Sequence, residues 1–139
     1  DYFVITTNVD CQFYKAGFAP ERIYAMQGDY GLFQCARPCS DELYNNEEWV
    51  TQALAHRPDP FHIREEDVPR CPHCEAYLVP NLRMDSRFVG TPHQQNANAY
   101  EQFLQRYAPE RLLLLEIGVG FNTPSIIRFP FEQLARQFP

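Results

Sequence analysis

The sequence predicts an α/β protein in which part of an open parallel sheet carries an inserted metal-binding module. The run from Tyr2 to Thr6 is rich in β-branched and aromatic residues, and its almost continuous apolar character is typical of a parallel sheet covered on both faces. Segments with helical spacing alternate with such runs, which is the order expected of an α/β sheet. Two closely spaced cysteine pairs interrupt that order and indicate the insertion.

One helix and a second strand are predicted before the first cysteine pair. Residues 11–17 are predicted to form a short helix that ends at Gly17, because glycine readily takes the left-handed conformation of a C-cap. Arg22 to Met26 is predicted to be the second strand. Residues 30–35 lead from that strand to the cysteines.

The segment between the cysteine pairs is predicted to contain a helix and a long polar loop. Apolar side chains recur at helical spacing from Trp49 to Leu54, and Asn45 or Asn46 is the candidate N-cap. Residues 56–70 are rich in proline, histidine and charge, so they are predicted to be a loop of the inserted module.

The last third of the chain is predicted to return to the sheet. Apolar side chains from Tyr100 to Tyr107 have the spacing of an amphipathic helix. Arg111 to Ile117 is predicted to be a further buried strand, after which the chain breaks into GVGFNTP, residues 118–124. A final helix is predicted over residues 131–138, with Pro130 near its first turn.

Composition and charge exclude several classes of function. The chain has 139 residues, 45% of them hydrophobic, which is about one domain with a real core. Its net charge is −6 and it has no basic run, so we expect no binding to nucleic acid. No apolar run approaches the roughly 20 residues of a membrane span and no signal peptide opens the chain, so we expect a cytoplasmic protein. The chain starts without Met, just before a strand, and we expect it to be a piece of a longer protein.

The cysteine pairs have the spacing of a structural zinc site. Cys35 and Cys39 form one pair, and Cys71 and Cys74 form the other. A gap of two or three residues lets both thiolates of a pair face the same ion, and a proline in each gap stiffens the turn. Four thiolates close a tetrahedral shell without a position for water, so the predicted metal is structural.

Two other interpretations of the cysteines stay open from the sequence. Disulfides suit a secreted protein, but nothing in the sequence indicates secretion. Inert buried thiols would leave the paired spacing unexplained. Cys11 lies apart from both pairs, and His73 is a conceivable substitute ligand. His56, His62 and His93 lie in polar surroundings and are predicted to be solvated.

Polar side chains follow the first predicted strand at its carboxyl end. Asn8 and Asp10 lie there, and Gly118 and Gly120 follow the predicted strand 111–117. Ligands of open parallel sheets bind in the crevice at the carboxyl ends of the strands, and glycines let backbone N–H groups approach a phosphate. A turn or helix cap is the alternative for the polar residues, and tight packing is the alternative for the glycines.

Four motifs of the chain occur in the order in which one known family carries them. TTNVDCQFYKAG, from Thr6 to Gly17, looks like the sirtuin motif T-Q-N-[IV]-D followed by A-G. MQGDY lies where sirtuins carry His-Gly, the four cysteines match the sirtuin zinc module in order, and GVGFNTP lies where sirtuins have G-T-S and then Pro. The resemblance implies a partial Rossmann-like sheet with an inserted zinc module, covering nearly the whole chain.

The departures from the sirtuin pattern narrow the resemblance. Gln27 replaces the general-base His, Thr7 replaces a Gln that contacts the nicotinamide ribose, and Val119-Gly120 replaces Thr-Ser. NLRMDSRFV replaces R-P-x-V-V-x-F-G-E. This combination is similar to the macrodomain-linked class of microbial sirtuins, which implies protein ADP-ribosylation on a lipoyl-carrier protein. Glutamine cannot accept a proton at working pH and can only orient a hydroxyl or a nucleophile, which fits transfer better than deacylation.

The resemblance assigns NAD as a substrate and zinc as a bound metal. It implies catalytic roles for Asn8 on the ribose side, Asp10 in the nicotinamide pocket and Gln27. The residues that it implies for cofactor binding are Thr6, Thr7, Asn8, Asp10, Gln27, Gly118, Val119, Gly120 and Asn122.

The resemblance also divides the chain and names its partners. It places Rossmann-like parts at residues 1–34 and 81–139 and the zinc module at residues 35–80. It implies a protein substrate and a macrodomain protein as partners. The G-A-G-x-S loop with which sirtuins open is not in these residues, so we expect weak NAD binding, low activity and self-association of the isolated chain. A deacylase and an inactive zinc-stabilised binding module are the alternative functions.

Overall fold

The computed structural model describes residues 1–138. Its strands are β1 (Val4–Thr6), β2 (Ile23–Ala25), β3 (Gly28–Cys35), β4 (Tyr44–Asn45) and β5 (Leu78–Leu82). Its helices are α1 (Gln12–Lys15), α2 (Glu47–His56), α3 (Gln94–Tyr107) and α4 (Arg128–Gln137), with single 3₁₀ turns at Pro20–Arg22, Glu65–Asp67 and Thr91–His93. Within residues 1–138, no helix is both long enough and apolar enough to cross a membrane.

β1 and β2 form a parallel pair, with α1 in the connection between them. Val4 pairs with Ile23 and Thr6 with Ala25. The connection turns at Gly17, whose φ of 83° is the left-handed conformation predicted for the end of this helix. Ile23 is completely buried, as expected for the apolar centre of such a sheet. Both strands and the helix between them are therefore confirmed.

α3 covers the parallel pair with its aromatic face. The ring of Phe3, next to β1, lies 5.4 Å from the ring of Tyr100 and 5.7 Å from that of Phe103. On the same helix, the Asn96 side chain donates a 2.7 Å hydrogen bond to the carbonyl of Ile23. The predicted amphipathic helix is confirmed, and it fixes the position of β2.

β3 leads from the parallel pair into an antiparallel sheet of order β4-β3-β5. Cys35 pairs with Leu78, and a register shift lies between Asp29 and Phe33. α2 begins after its N-cap Asn46 and packs Trp49 against Phe33, with ring centroids 5.2 Å apart. The α/β class with an inserted cysteine-bearing module is confirmed.

A buried polar network joins β5 to the start of α3. Asn81 is completely buried, and its amide group donates to Gln34 Oε1 at 2.7 Å and to the carbonyl of Val89 at 3.0 Å. Its Oδ1 accepts a 2.8 Å hydrogen bond from His93 Nε2. The prediction that His93 is solvated is therefore wrong, because a buried amide oxygen needs a donor and the imidazole supplies it.

The predicted strand at Arg111–Ile117 is absent from the structure of residues 1–138. This segment is irregular, and its backbone makes no hydrogen bond with any described residue. Leu113 is 86% exposed and Ile117 is 79% exposed. A strand forms only where a neighbour pairs with its backbone, and apolar character alone does not provide that neighbour. We call residues 111–120 the open segment.

Candidate functional site

The carboxyl end of β1 meets the turn between β2 and β3. The backbone N–H of Met26 donates to the carbonyl of Thr6 at 3.1 Å, and the N–H of Tyr30 donates to the carbonyl of Val9 at 2.9 Å. These two bonds tie the polar strand tip to both sides of Gln27. The crevice expected at the end of a parallel pair is therefore formed by the segments 6–10 and 26–30.

A small recess lies between these segments. The space that can hold the centre of a water molecule is about 10 Å³ there, which is enough for about one water and far below the roughly 300–1,000 Å³ of typical ligand pockets. The recess as it stands admits neither a nicotinamide ring nor a dinucleotide, and only its mouth is open to a ligand. The lining residues come from the strand tip, α1, β2 and the start of β3: Thr6, Asn8, Val9, Asp10, Cys11, Gln12, Phe13, Tyr14, Ile23, Ala25, Gly28 and Asp29.

Asn8 and Asp10 are exposed at the mouth of the recess. The N–H of Asn8 donates to Thr6 Oγ1 at 3.0 Å, and the N–H of Gln12 donates to Asp10 Oδ1 at 3.2 Å. Asp10 thus makes the kind of turn that commonly precedes a helix. The amide of Asn8 and the second oxygen of Asp10 make no hydrogen bond with described residues and are accessible to a ligand.

Gln27 lies on a tightly held turn at the edge of the recess. Arg83 holds this turn twice: its N–H donates to the carbonyl of Gln27 and its Nε to the carbonyl of Met26, each at 3.0 Å. The guanidinium also lies 4.3 Å from the ring centroid of Phe88. The half-buried side chain of Gln27 makes no hydrogen bond with described residues and is not among those that line the recess.

The glycine loop is not part of the recess. Gly118, Gly120 and Asn122 are exposed, and none of them lines it. Arg128 contacts this loop at Val119, whose carbonyl accepts a 2.9 Å hydrogen bond from Arg128 Nη2. Thr7 is half-buried beside Thr6 but does not line the recess either. The structure therefore brings together Thr6, Asn8 and Asp10, with the Gln27 turn beside them.

Two chemically active residues of the recess were missed from the sequence. The Cys11 thiol donates to Oδ1 of Asp29, which also accepts a 2.7 Å hydrogen bond from the N–H of Gly31. Burial raises the pKa of the Cys11 thiol, and the hydrogen bond to Asp29 raises it further, so this thiol stays protonated. Asp29 itself was the signal that could have revealed this pair. Aspartate is depleted in strands, and Asp29 lies in a strand two positions after Gln27.

The four paired cysteines converge on one point. The sulfur atoms of Cys35, Cys39, Cys71 and Cys74 all lie within 4.8 Å of one another. Sγ of Cys35 is 3.5 Å from that of Cys74, and Sγ of Cys39 is 3.5 Å from that of Cys71. Tetrahedral zinc with bonds of about 2.3 Å separates its sulfur ligands by about 3.8 Å. The group therefore fits a soft divalent metal, and no cysteine in residues 1–138 forms a disulfide.

The backbone shapes each cysteine pair for this geometry. In the second pair the N–H of Glu75 donates to the carbonyl of Cys71 at 2.9 Å, and Glu75 takes a left-handed φ of 58°. In the first pair the N–H of Arg37 donates to Sγ of Cys35 at 3.3 Å. Burial raises the pKa of the Cys35 thiol, but hydrogen bonds from the backbone N–H groups of Cys39 and Arg37, and from the thiols of Cys74 and Cys39, outweigh it and lower the pKa to about 7.

Three histidines lie near carboxylates at the surface. His73 Nε2 is 2.7 Å from Glu42 Oε2, and this contact raises the pKa of His73. The His73 side chain is therefore hydrogen-bonded to a carboxylate, and the metal-binding group contains only cysteines. The side chains of His56 and His62 are 51% and 74% exposed, as predicted.

The chain is similar to curated proteins with ADP-ribosyl chemistry in their names. It is 32% identical over 140 residues to "Protein ADP-ribosyltransferase" of Staphylococcus aureus (strain Mu50 / ATCC 700699), covering 98% of this chain and 44% of that protein. It is 31% identical over 139 residues to "Probable bifunctional ADP-ribose hydrolase/ADP-ribosyltransferase" of Fusarium oxysporum f. sp. cubense, covering 96% of this chain and 23% of that protein. The chain thus spans less than half the length of these relatives. No protein-family model matches it.

Solved structures of sirtuins are among those that resemble the chain. One, described as the structural basis of sirtuin substrate affinity, is 27% identical with a TM-score of 0.40 and covers 58% of this chain and 28% of that one. Another, Sir2Tm bound to a propionylated peptide, is 23% identical with a TM-score of 0.44 and covers 68% of this chain and 34% of that one. The chain is therefore similar to these sirtuin structures over part of its length.

Proposed function

We propose that this sirtuin-like chain forms the nicotinamide and ribose side of an NAD-dependent protein ADP-ribosyltransferase. The observation that carries the proposal is the recess at the end of the parallel pair, where Thr6, Asn8 and Asp10 come together beside the Gln27 turn. The names of the two curated relatives support the same chemistry.

Each polar residue has a role that its environment supports. The amide of Asn8 is exposed at the mouth of the recess and makes no hydrogen bond with described residues, and it holds a ribose hydroxyl or a water. Asp10 keeps one carboxylate oxygen for the carboxamide of nicotinamide. Gln27 orients the attacking group by hydrogen bonds, because an amide side chain cannot take its proton.

The chemistry of Gln27 favours transfer over deacylation. Deacylation by a sirtuin needs a base that removes a proton from a ribose hydroxyl, and histidine near neutral pH serves for that. ADP-ribosyl transfer depends more on positioning and on stabilising positive charge at the ribose. A site with amide and carboxylate groups but no titrating base at position 27 supplies these two functions.

The rest of the chain supports the recess. We assign zinc to Cys35, Cys39, Cys71 and Cys74, where it braces the module of residues 35–80 without contacting substrate. Residues 1–34 and 81–139 form the Rossmann-like parts. Gly118, Val119, Gly120 and Asn122 approach the phosphates, and Thr6 and Thr7 contact the nicotinamide ribose.

The proposed partners follow from the same class. The target is a protein, a lipoyl-carrier protein in the first instance, and a macrodomain protein acts beside it. The exposed leucines of the open segment support association of the chain with a second copy.

The proposal is tested by mass spectrometry with the complete protein that carries these residues. NAD and a lipoylated carrier protein are the substrates, and we expect the carrier to gain an ADP-ribosyl group. Loss of an acyl group with formation of O-acyl-ADP-ribose would indicate a deacylase instead. Absence of both products, with no nicotinamide released from NAD, would indicate an inactive binding module.

A matched pair of variants ties the activity to the recess. Asn8→Ala removes the amide at the mouth and should lower transfer by about 100-fold or more. Asn98→Ala makes the same change at an exposed position of α3 and should leave transfer unchanged. Equal activity of the two variants would show that the recess is not the site.

A further inference from the structure

Asp29 carries a charge that its structural role does not need. It is only 8% exposed, and its Oδ1 already accepts hydrogen bonds from the N–H of Gly31 and the thiol of Cys11. A neutral amide oxygen can also accept hydrogen bonds from both donors. The packing around the register shift in β3 therefore does not require the negative charge of Asp29.

The charge also has no counter-ion among residues 1–138. No salt bridge within residues 1–138 includes Asp29, and its Oδ2 makes no hydrogen bond with a described residue. Burying an unpaired carboxylate is costly, and natural proteins usually pair such groups. Asp29 instead lines the recess together with Asn8 and Asp10.

Asp10 and Asp29 differ in how strongly they act on a ligand at the mouth of the recess. Asp10 is exposed and accepts a hydrogen bond from Gln12, so water screens its charge. Asp29 is buried, and a charge in a weakly solvated site acts with a lower effective dielectric constant. The surroundings of Asp29 also respond to it, since its charge adds to the effect of burial in raising the pKa of Tyr14.

We propose that Asp29 is the carboxylate that stabilises the positive charge developing on the ribose during transfer, a deepening that rests on the function proposed above. As the bond between C1′ and the nicotinamide nitrogen breaks, its electron pair leaves with neutral nicotinamide and C1′ becomes cationic. A nucleophile of the target protein then donates an electron pair to C1′ and loses its proton to solvent. A fixed, buried anion beside this carbon lowers the barrier to the first step.

The test is Asp29→Asn in the complete protein, which keeps the size and one acceptor oxygen and removes the negative charge. We expect nicotinamide release at saturating NAD to fall more than about tenfold, with KM for NAD within about twofold. Asp59→Asn is the matched control, because Asp59 accepts backbone hydrogen bonds in an exposed loop outside the recess. That control should release nicotinamide at the unmodified rate.

The outcomes separate the two proposals. If the unmodified protein releases no nicotinamide, the proposed function fails. If it does and folded Asp29→Asn keeps the full rate, the role of Asp29 is overturned and the function stands. A variant that raises KM without lowering the rate would also overturn it, because it would show a role in ground-state binding.

A second measurement on the unmodified protein covers the case in which Asp29→Asn does not fold. The probes are ADP-ribose and an ADP-ribose analogue whose terminal ribose is replaced by a protonated pyrrolidine. We expect the cationic analogue to bind more than about tenfold tighter, and Asp10→Asn to retain that preference. Equal binding of the two probes, or loss of the preference in Asp10→Asn, would overturn the assignment to Asp29.

Discussion

The cysteine module, residues 35–80, and the open segment, residues 111–120, differ in where their partners lie. The module is closed by the strand that enters it: β3, which ends at Cys35, pairs with β5 on one side and β4 on the other, and four sulfur atoms face one point. In the open segment, Leu113 and Ile117 are more than three-quarters exposed, and residues 111–117 make no backbone hydrogen bond with described residues.

The difference shows that topology decides whether a short stretch of sequence can form its predicted structure. The antiparallel strands beside the module and the two cysteine turns find all of these partners within residues 28–82. A strand of a parallel sheet needs neighbours that arrive from elsewhere in the sequence. We therefore expect substitutions in the module to change stability and substitutions in the open segment to leave it nearly unchanged.

Removal of a metal ligand should have the largest effect. Cys71 is completely buried, and Cys71→Ser should abolish the binding of one zinc per chain and destabilise the protein by more than about 4 kcal/mol. Zinc content by atomic absorption and urea unfolding measure both. A chelator should destabilise the unmodified chain in the same way.

Cys11→Ser is the control for this prediction. Cys11 lies outside the metal-binding group and keeps a hydroxyl donor for Asp29 after the substitution. It should retain one zinc per chain. Loss of zinc from this variant, or full zinc content in Cys71→Ser, would contradict the assignment of the ligands.

A glycine at the entrance to β3 should have the next largest effect. Gly28 has a φ of 93°, and a Cβ there would lie 2.0 Å from the backbone oxygen of Asn81. Gly28→Ala combines backbone strain with a clash that a carbonyl in a sheet cannot relieve, and should destabilise the protein by about 2–4 kcal/mol. The midpoint of urea unfolding measures the loss.

Gly120→Ala makes the same change in the open segment. A Cβ at Gly120 would meet no atom within 4 Å. The free energy of unfolding should change by less than about 0.5 kcal/mol. A large loss in this variant would show that the loop packs against other residues in solution.

The sequence predicted the elements whose formation is recorded in local sequence patterns. β1, α1, β2 and α3 were all anticipated, since apolar periodicity and a C-cap glycine record local structure. The cysteine group was predicted from spacing alone, because two short turns bring the thiols to one side. Residues 111–117 have the composition of a buried strand, but composition does not say whether a neighbour is present.

The candidate site was predicted in part, and for a similar reason. Asn8 and Asp10 follow a strand whose partner is close in sequence, so their position could be inferred. The charge of Asp29 was missed because its significance depends on burial and on the absence of a counter-ion among residues 1–138, which only the assembled structure reveals. His93 was misjudged because its partner Asn81 lies on another element.

The pH dependence of stability provides a smaller test, at the junction between the cysteine module and α3. Burial lowers the pKa of His93, an effect that the charge of Asp29 opposes and that of Arg83 reinforces. The unfolded chain therefore binds a proton more readily than the folded one, and stability should decline as the pH falls below about 6.5. Urea midpoints between about pH 5.5 and 7.5 measure the slope.

The titration of His93 is isolated by comparing variants. His93→Gln keeps a donor for Asn81 and removes the titrating group, so its stability should depend less on pH than that of the unmodified chain. His62→Gln, at an exposed position, should leave the slope as it is. Metal release at low pH is common to all three proteins and cancels in the comparison. Equal slopes for His93→Gln and the unmodified chain would contradict the prediction.

The smallest effect on stability is expected in the open segment itself. Leu113 and Leu115 are 86% and 68% exposed, so replacing both with Ser should change the free energy of unfolding by less than about 0.5 kcal/mol. Ile23→Ala, at a completely buried position of β2, should cost about 2–4 kcal/mol by contrast. The double variant should instead reduce self-association, because it removes the apolar surface that a second copy would cover. Light scattering measures this: a monomeric unmodified chain, or an unchanged mass for the double variant, would show that the open segment is not the contact between copies.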